Sequence, residues 1–462
     1  MSMFREEQDS IGVREVPVDA YYGVQSLRAS ENFKITGTKV HPELIKAIAE
    51  IKIACAMSNK AAGVLDEKIA NAMIAAGKEI VDGKLHDNFI VDSIQGGAGT
   101  SMNMNANEVI SNRAIEILGG KKGDYSIVHP NDHANCAQST NDVIPSAGRI
   151  ATIRLLAAAI TELELLKNAF IEKAETYKDV IKMGRTEMQD AVPLSFGQVF
   201  TAYASAIKRD ILRFTRAINE MSTLNMGATA VGTAINAHPK YLEKVVPFLS
   251  EVTGLDLTQA TDLVDATQNL DSFVYVSGIV KSCATNLSKI ANDLRLMSSG
   301  PRTGFGEITL TPMQNGSSIM PGKVNPVIPE AMSQISFAII GNDTTVTFAA
   351  EGGQLELNAF EPILFRCLFE SLDILRNGVK MFTDECVKTL RVNEDRCREL
   401  VDNSIGIVTA LCPRLGYKES ARLAKLALRE DRSIREVVKA ETALTAEEID
   451  ALLDPKDMIG IN

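Results

Sequence analysis

The sequence predicts an all-α protein: a bundle of very long helices that associates with further copies of itself. Three observations predict it. First, 45% of the 462 residues are hydrophobic, with no Trp and only 5% aromatic residues. The core is therefore Ala, Leu, Ile, Val and Met, a palette suited to long packed helices. Second, Gln268 to Ser298 contains no Pro and one Gly. Within it Phe273, Val276, Val280, Cys283, Leu287, Ile290 and Leu294 recur in steps of three and four. That is a heptad seam, the pattern of near-parallel bundle packing, and it spans roughly 45 Å at about 1.5 Å per residue. Third, no obvious excess of loop or sheet is left to cover the apolar stripes of the other long helices, so other copies of the chain are expected to cover them.

Taken in order, residues 1–40 are mixed and polar and predict short strands or loops. Helical spacing of apolar residues runs from Pro42 to about Ala62 and from Asp66 to Asp82, with Gly83 as a stop. Gln95–Ser101 is a polar, Gly-rich loop leading into a helix over Met102–Leu118, ended by Gly119-Gly120. Ser139-Thr140-Asn141-Asp142 are all strong N-cap types. Pro145 is expected in the first turn, where proline is tolerated. The helix that follows runs to about Thr176 with Leu156, Ile160, Leu163, Leu166 and Phe170 as its buried stripe. Gly184–Pro193 interrupts the pattern before a helix from about Leu194 to Met221. Gly227–Ala237 reads as a loop and Tyr241–Thr253 as a shorter helix. After the seam helix come Val327–Glu351 and Leu355–Asp384, separated by Gly352-Gly353; Leu364, Leu368, Leu372, Leu375, Val379 and Phe382 share one face of the second. Near Val392 charge density rises and helices shorten, and Thr445 with Glu448 forms a capping-box pattern. Residues 392–462 are expected to be a small separate helical domain.

A length of 462 residues suits two or three domains. A net charge of −11 argues against a nucleic-acid surface. No apolar run is expected to reach the ~20 residues of a membrane span, and Met1–Ser10 has no apolar core of a secretory signal. The seven cysteines are scattered without a Cys-x-x-Cys pair, and buried free thiols in a reducing cytoplasm are expected. The five histidines offer no helical zinc pair.

Four polar segments stand at or near predicted helix starts: Gly97–Ser101, Ser139–Asp142, Arg185–Asp190 and Gly316–Asn325. A helix N-terminus carries unpaired N–H groups and partial positive charge, so it suits carboxylates. Thr100, Ser139, Thr140 and Asn141 add side-chain donors. In the last segment two hydroxyls, Ser317 and Ser318, lie close to Lys323 and Asn325, a pair able to grip a carboxylate. Ile319 and Met320 are apolar, which predicts a loop that closes over something. Each segment alone is more commonly a simple capping or connecting loop. Together they leave a helical, oligomeric binder or converter of a small polycarboxylate. No Ser-His-Asp order, P-loop or dinucleotide fingerprint accompanies them.

The stretch GSSIMPGKVNP at 316–326 resembles the signature of the aspartase/fumarase superfamily. Similar stretches cover nearly the whole chain: GVQSLRASENF at 23–33, GGAGTSMNMNANEVI at 96–110, HPNDHANCAQSTNDV at 129–143, GRTEMQDAVP at 184–193 and IGNDTTV at 340–346. The resemblance implies three helical domains, 1–139, 140–391 and 392–462, around a central five-helix bundle. Four copies form a twenty-helix core, and each active site draws on three subunits. Tyr21–Ser26, Ala98–Ser101 and Asn403–Thr409 are more similar to the ammonia-lyase branch than to class II fumarase. The implied reaction is reversible deamination of L-aspartate to fumarate and ammonia. Hydration of fumarate is the alternative, and a non-catalytic relative a third reading that intact Ser317, Lys323 and Asn325 disfavour.

The resemblance also implies roles. Ser317 is the catalytic base, acting as an alkoxide on a mobile loop. Thr100, Ser139, Thr140 and Ser318 hold the β-carboxylate, while Lys323 and Asn325 hold the α-carboxylate. Asn141, Thr186 and Glu187 contact the amino group, with Glu330 expected near Glu187. Glu187 stands where the family usually carries His or Gln, and a carboxylate there favours an ammonium over a hydroxyl. No metal and no organic cofactor is implied. His129, Asn131 and Asp132 match a secondary anion site of fumarases and are read here as structural.

Overall fold

The computed structural model describes residues 4–460. It opens with an antiparallel hairpin, β1 (Phe4–Asp9) and β2 (Gly12–Pro17), then α1 (Val24–Asn32), α2 (Pro42–Ala62), α3 (Glu67–Val81) and α4 (Thr100–Ile117). The long helix α5 (Thr140–Thr176) leads to the hairpin β3 (Ile181–Thr186) and β4 (Gln189–Ser195), and α6 (Phe196–Met221) follows directly. Two short parallel strands, β5 (Thr223–Leu224) and β6 (Thr258–Gln259), flank α7 (Pro239–Thr253). Then come α8 (Leu263–Gln268), α9 (Asp271–Met297), β7 (Ile308–Thr309), α10 (Val327–Glu351) and α11 (Glu361–Phe382). β8 (Arg391–Val392) pairs with β7, and the chain continues through α12 (Glu394–Asn403), α13 (Cys412–Leu415), α14 (Tyr417–Glu430), α15 (Ile434–Glu441) and α16 (Ala446–Leu452).

The apolar periodicities become the buried faces. All seven seam residues of α9 are at most 2% exposed, and Leu364, Leu368, Leu372, Leu375, Val379 and Phe382 of α11 at most 1%. Capping sets several boundaries: α2 starts on His41, whose Nδ1 accepts from Glu43 N, and ends on Gly63 at φ +74°. The Thr445–Glu448 capping box is present, and Ser433–Glu436 forms a second.

Some expectations are corrected. Residues 1–40 contain a full helix, α1, whose N-terminus is satisfied by distant carboxylates rather than by its own sequence. Glu108 accepts from the N–H groups of Gly23, Gln25 and Ser26, and Glu7 from Val24 N. Arg185–Asp190 is not a helix start. Glu187 and Met188 both take positive φ, +53° and +66°, and turn β3 into β4. Pro145 lies in the second turn of α5, inside the helix. The second of the two late helices begins at Glu361 rather than Leu355, which is left-handed (φ +55°) and 83% exposed.

The chain forms two compact units. One comprises Met1–Ile160, Leu212–Ser282 and Phe337–Leu375; the other Thr161–Ile211, Cys283–Ser336 and Arg376–Asn462. α5, α6, α9, α10 and α11 each supply residues to both. The second unit has a core in which Met183 of β3 joins Val401, Ile407, Leu411, Leu423, Val437, Val438, Ile449 and Leu453 from the C-terminal helices. By length and composition α5 alone, among the described residues, is apolar enough to cross a membrane, and most of its apolar window is buried inside the protein.

Candidate active site

In the first unit two helix N-termini adjoin. Gly97, Ala98 and Gly99 take φ of +84°, +53° and +86°, a left-handed run that delivers the chain to Thr100, the first residue of α4. Gly99 supplies no side-chain cap, and a Cβ there would stand 3.0 Å from Ile144 of α5, so glycine permits the close approach. The Thr100 hydroxyl donates to Gly97 O at 2.7 Å. Asn103, one turn on, donates to Thr140 Oγ1 at 3.2 Å. Asn103 thus links the first turn of α4 to the first residue of α5.

The start of α5 is held from three sides. Ser139 Oγ accepts from Asn141 N (3.2 Å), and Asp142 Oδ1 accepts from Ser139 N (2.9 Å), so cap and first turn bond each other reciprocally. The other oxygen of Asp142 accepts from Gly227 N and Thr229 N at 3.2 and 3.1 Å, tying the helix start to the 227–237 loop. Asn141 is pinned twice, its Nδ2 donating to Ala230 O (2.7 Å) and its carbonyl accepting from Asn225 Nδ2 (2.9 Å). The second bond explains Pro145. Proline has no N–H for the carbonyl four residues back, which is that of Asn141, and Asn225 supplies the missing donor. Behind this corner the buried Lys52 donates to Asn135 Oδ1 and Gln138 Oε1 at 3.0 and 2.8 Å. Burial pushes the Lys52 ammonium down to about 8 and the Asp142 carboxyl up to about 6, so desolvation outweighs their mutual attraction at both.

In the second unit the β3–β4 hairpin carries Thr186 and Glu187 at an exposed tip. Its two arms are anchored separately. On β3, Arg185 Nη1 donates to Glu307 Oε1 at 2.8 Å and its guanidinium lies 4.1 Å over the Phe305 ring. On β4, Asp190 Oδ2 accepts from Ser404 Oγ at 2.7 Å. A cavity of about 700 Å³ lies alongside, lined by Arg185, Thr186, Glu187, Leu194, Leu296 and Phe305 among others.

The 316–325 segment of the same unit is a compact, exposed loop preceding α10. Ser317 N donates to Lys323 O (3.1 Å), closing the loop at its base. A Cβ at Gly316 would overlap the Lys323 carbonyl, so no other residue fits there. Ser317 Oγ accepts from Ile319 N at 3.2 Å and Met320 N at 3.0 Å. Donors aimed at a hydroxyl oxygen favour its ionised form. Ile319 is 83% exposed and Met320 and Val324 48% each, so the apolar side chains of this loop are left largely unburied among the described residues. Glu330, in the first turn of α10, lies 3.9 Å from Arg295 Nη2.

Thr100, Ser139, Thr140 and Asn141 therefore sit together in the first unit, and Thr186, Glu187, Ser317, Ser318, Lys323, Asn325 and Glu330 fall in the second. Sequence reasoning missed Asp142 as a clamp, Asn225, Lys52 and Glu307. Pro145 inside a helix was the one local signal for a compensating donor; Lys52 and Glu307 look like ordinary surface residues in one dimension. His129 acts as a cap, its Nδ1 accepting from Asn131 N and Asp132 N at 3.2 Å each, in keeping with a structural reading.

Comparison with known proteins matches residues 12–341 to the family described as Lyase and residues 407–460 to the fumarase C C-terminus. The chain is 51% identical to the aspartate ammonia-lyase of Bacillus subtilis (strain 168), over 98% of this chain and 96% of that one. It is 50% identical to that of Helicobacter pylori (strain J99), covering 98% of each. Among solved structures, a fumarate lyase:delta crystallin from Brucella melitensis bound to cobalt superposes with a TM-score of 0.97 at 46% identity, over 99% of this chain and 100% of that one. The class II fumarase of Schistosoma mansoni gives 0.95 at 33% identity, over 99% of each.

Proposed function

This chain belongs to the aspartase/fumarase superfamily of lyases, and we propose on that premise how its residues carry the reaction. It is a carbon–nitrogen lyase, an ammonia-lyase that interconverts L-aspartate with fumarate and ammonia. The observation that carries this is about 50% identity to aspartate ammonia-lyases along almost the entire chain, against 33% to a class II fumarase of nearly the same fold.

In the mechanism we propose, Ser317 Oγ, as alkoxide, takes a proton from Cβ of aspartate. The electron pair left on carbon delocalises into the β-carboxylate, giving an aci-carboxylate with two negative charges. Thr100, Ser139, Thr140 and Ser318 stabilise it, helped by the adjoining dipoles of α4 and α5. The pair then forms the double bond as C–N breaks and ammonia leaves past Asn141, Thr186 and Glu187. Lys323 and Asn325 hold the α-carboxylate throughout. The two N–H donors on Ser317 Oγ support its role, because they stabilise the ionised hydroxyl before substrate arrives. Exposed Ile319 and Met320 support closure of the loop on substrate.

We further propose a homotetramer with sites shared between subunits. Supporting it, α10 presents Phe337 (61% exposed), Phe348 (69%) and Ile340 (39%) with Ala338 and Gly341, an apolar face left exposed among the described residues. The division into domains 1–139, 140–391 and 392–462 belongs to the same reading. A cytoplasmic location is proposed from seven cysteines that are all free thiols. The reaction is tested by following fumarate through its ultraviolet absorbance on adding aspartate or malate. Aspartate yields fumarate with release of ammonium, while malate yields at least about a hundredfold less per unit time. Faster turnover of malate would assign the hydratase reaction instead.

A further inference from the structure

We infer that Glu307 is a positioning residue for this reaction: a buried carboxylate that fixes the hairpin tip on which Thr186 and Glu187 meet the substrate's amino group. The inference rests on the assignment of those two residues made above. Glu307 is fully buried, on the segment that runs from α9 to the Ser317 loop. Its backbone is fixed on both sides. Its N–H donates to Met297 O at the end of α9 (2.9 Å), and its carbonyl accepts from Asn393 N (2.8 Å). From that rigid base Oε1 takes Arg185 Nη1 at 2.8 Å, while Phe305 stacks on the same guanidinium. Arg185 is the residue immediately before Thr186, so the ion pair sets where the tip begins. The strand register shifts between Met183 and Arg185, so the ladder alone does not fix that point.

The cluster is charge-unbalanced, which makes the carboxylate more than a packing group. Lys182 Nζ lies 3.4 Å from Glu307 Oε2 but donates its hydrogen bond to Met183 O at 2.8 Å, and Oε2 accepts no hydrogen bond among the described residues. A buried cation, Lys182, and a half-buried one, Arg185, thus share one anion. Glu307→Gln keeps the shape and an acceptor for Arg185 but removes the carboxylate that, among the described residues, is the ion-pair partner of both cations. The cations then repel, Arg185 leaves its stack, and the tip loses its anchor on β3.

Because Thr186 and Glu187 meet only the amino group, the effect is selective. Glu307→Gln is expected to raise KM for aspartate, and for ammonia in the reverse reaction, by about tenfold. Fumarate, which has no amine, keeps its affinity within about twofold. Lys182→Met combined with Glu307→Gln removes the excess charge and restores most of the loss. Should Glu307→Gln fail to fold, Arg185→Lys, which keeps the charge and loses the planar fork, is expected to show the same selective pattern. Unchanged KM values, or equal weakening of aspartate and fumarate, would overturn the inference. Glu187→Gln, measured in parallel, separates the two levels. If it leaves the ratio of aspartate to fumarate affinity unchanged, the assignment of the tip falls and this inference with it. If it shifts that ratio while Glu307→Gln does not, only the role of Glu307 falls.

Discussion

At the scale of single residues, the site depends on groups held in unfavourable electrostatic surroundings. Lys52 is buried and its ammonium is pushed down to about 8 by desolvation. In the unfolded chain a lysine titrates near 10.4, so between those values the unfolded state binds more protons than the folded one. Stability therefore rises with pH across that window. The cost of burying the ammonium is fully present below pH 8 and is relieved above it, by on the order of 3 kcal/mol at most. Lys52→Met is expected to abolish this rise in thermal midpoint, measured by calorimetry from pH 7.5 upward (roughly the lower edge of the window). A persistent rise of the same size in the variant would move its origin elsewhere. None of this was legible in the sequence, where Lys52 sits in an apolar helix without any mark of its partners. By contrast Ser317, Lys323 and Asn325 stood out at once, because glycine and proline crowd the same few residues and mark a loop built around them.

At the scale of elements, helix periods and stops were legible because each rests on local chemistry: a stripe, a cap, a glycine. α2 and α10 match their expected spans closely. Elements fixed by distant partners were not. α1 depends on Glu7 and Glu108 for its N-terminus, and the β3–β4 turn depends on two non-glycine residues accepting positive φ. The start of α5 combines both kinds, a local reciprocal cap between Ser139 and Asp142 and a remote donor for the carbonyl that Pro145 orphans. Asn225→Leu should leave that carbonyl and the Ser146 hydroxyl without their partner, destabilising the enzyme by about 1–3 kcal/mol and lowering kcat/KM. Adding Pro145→Ala returns a main-chain donor to Asn141 O and should recover much of the stability. If the double variant is no more stable than Asn225→Leu, Asn225 does not serve to replace the donor that Pro145 lacks.

At the scale of the whole molecule, the seam of α9 and the stripe of α11 were readable as buried, and both are. What covers α10 was not, since a sequence shows an apolar face but never its partner. The shared-site proposal makes a quantitative statement about mixtures. Ser317→Ala and Thr140→Val subunits, each nearly inactive alone, should regain about a quarter of wild-type activity when unfolded together and refolded at equal amounts, because that share of sites receives both intact residues from different subunits. No recovery in verified hybrid tetramers would mean that both residues come from the same chain.

The proposed role of Ser317 as the group that removes the Cβ hydrogen is tested most directly by Ser317→Ala, with fumarate release from aspartate and fumarate binding measured on the same folded, assembled protein. The expected result is a fall in turnover of about a thousandfold with fumarate affinity nearly unchanged. Turnover close to that of the unsubstituted enzyme would contradict it.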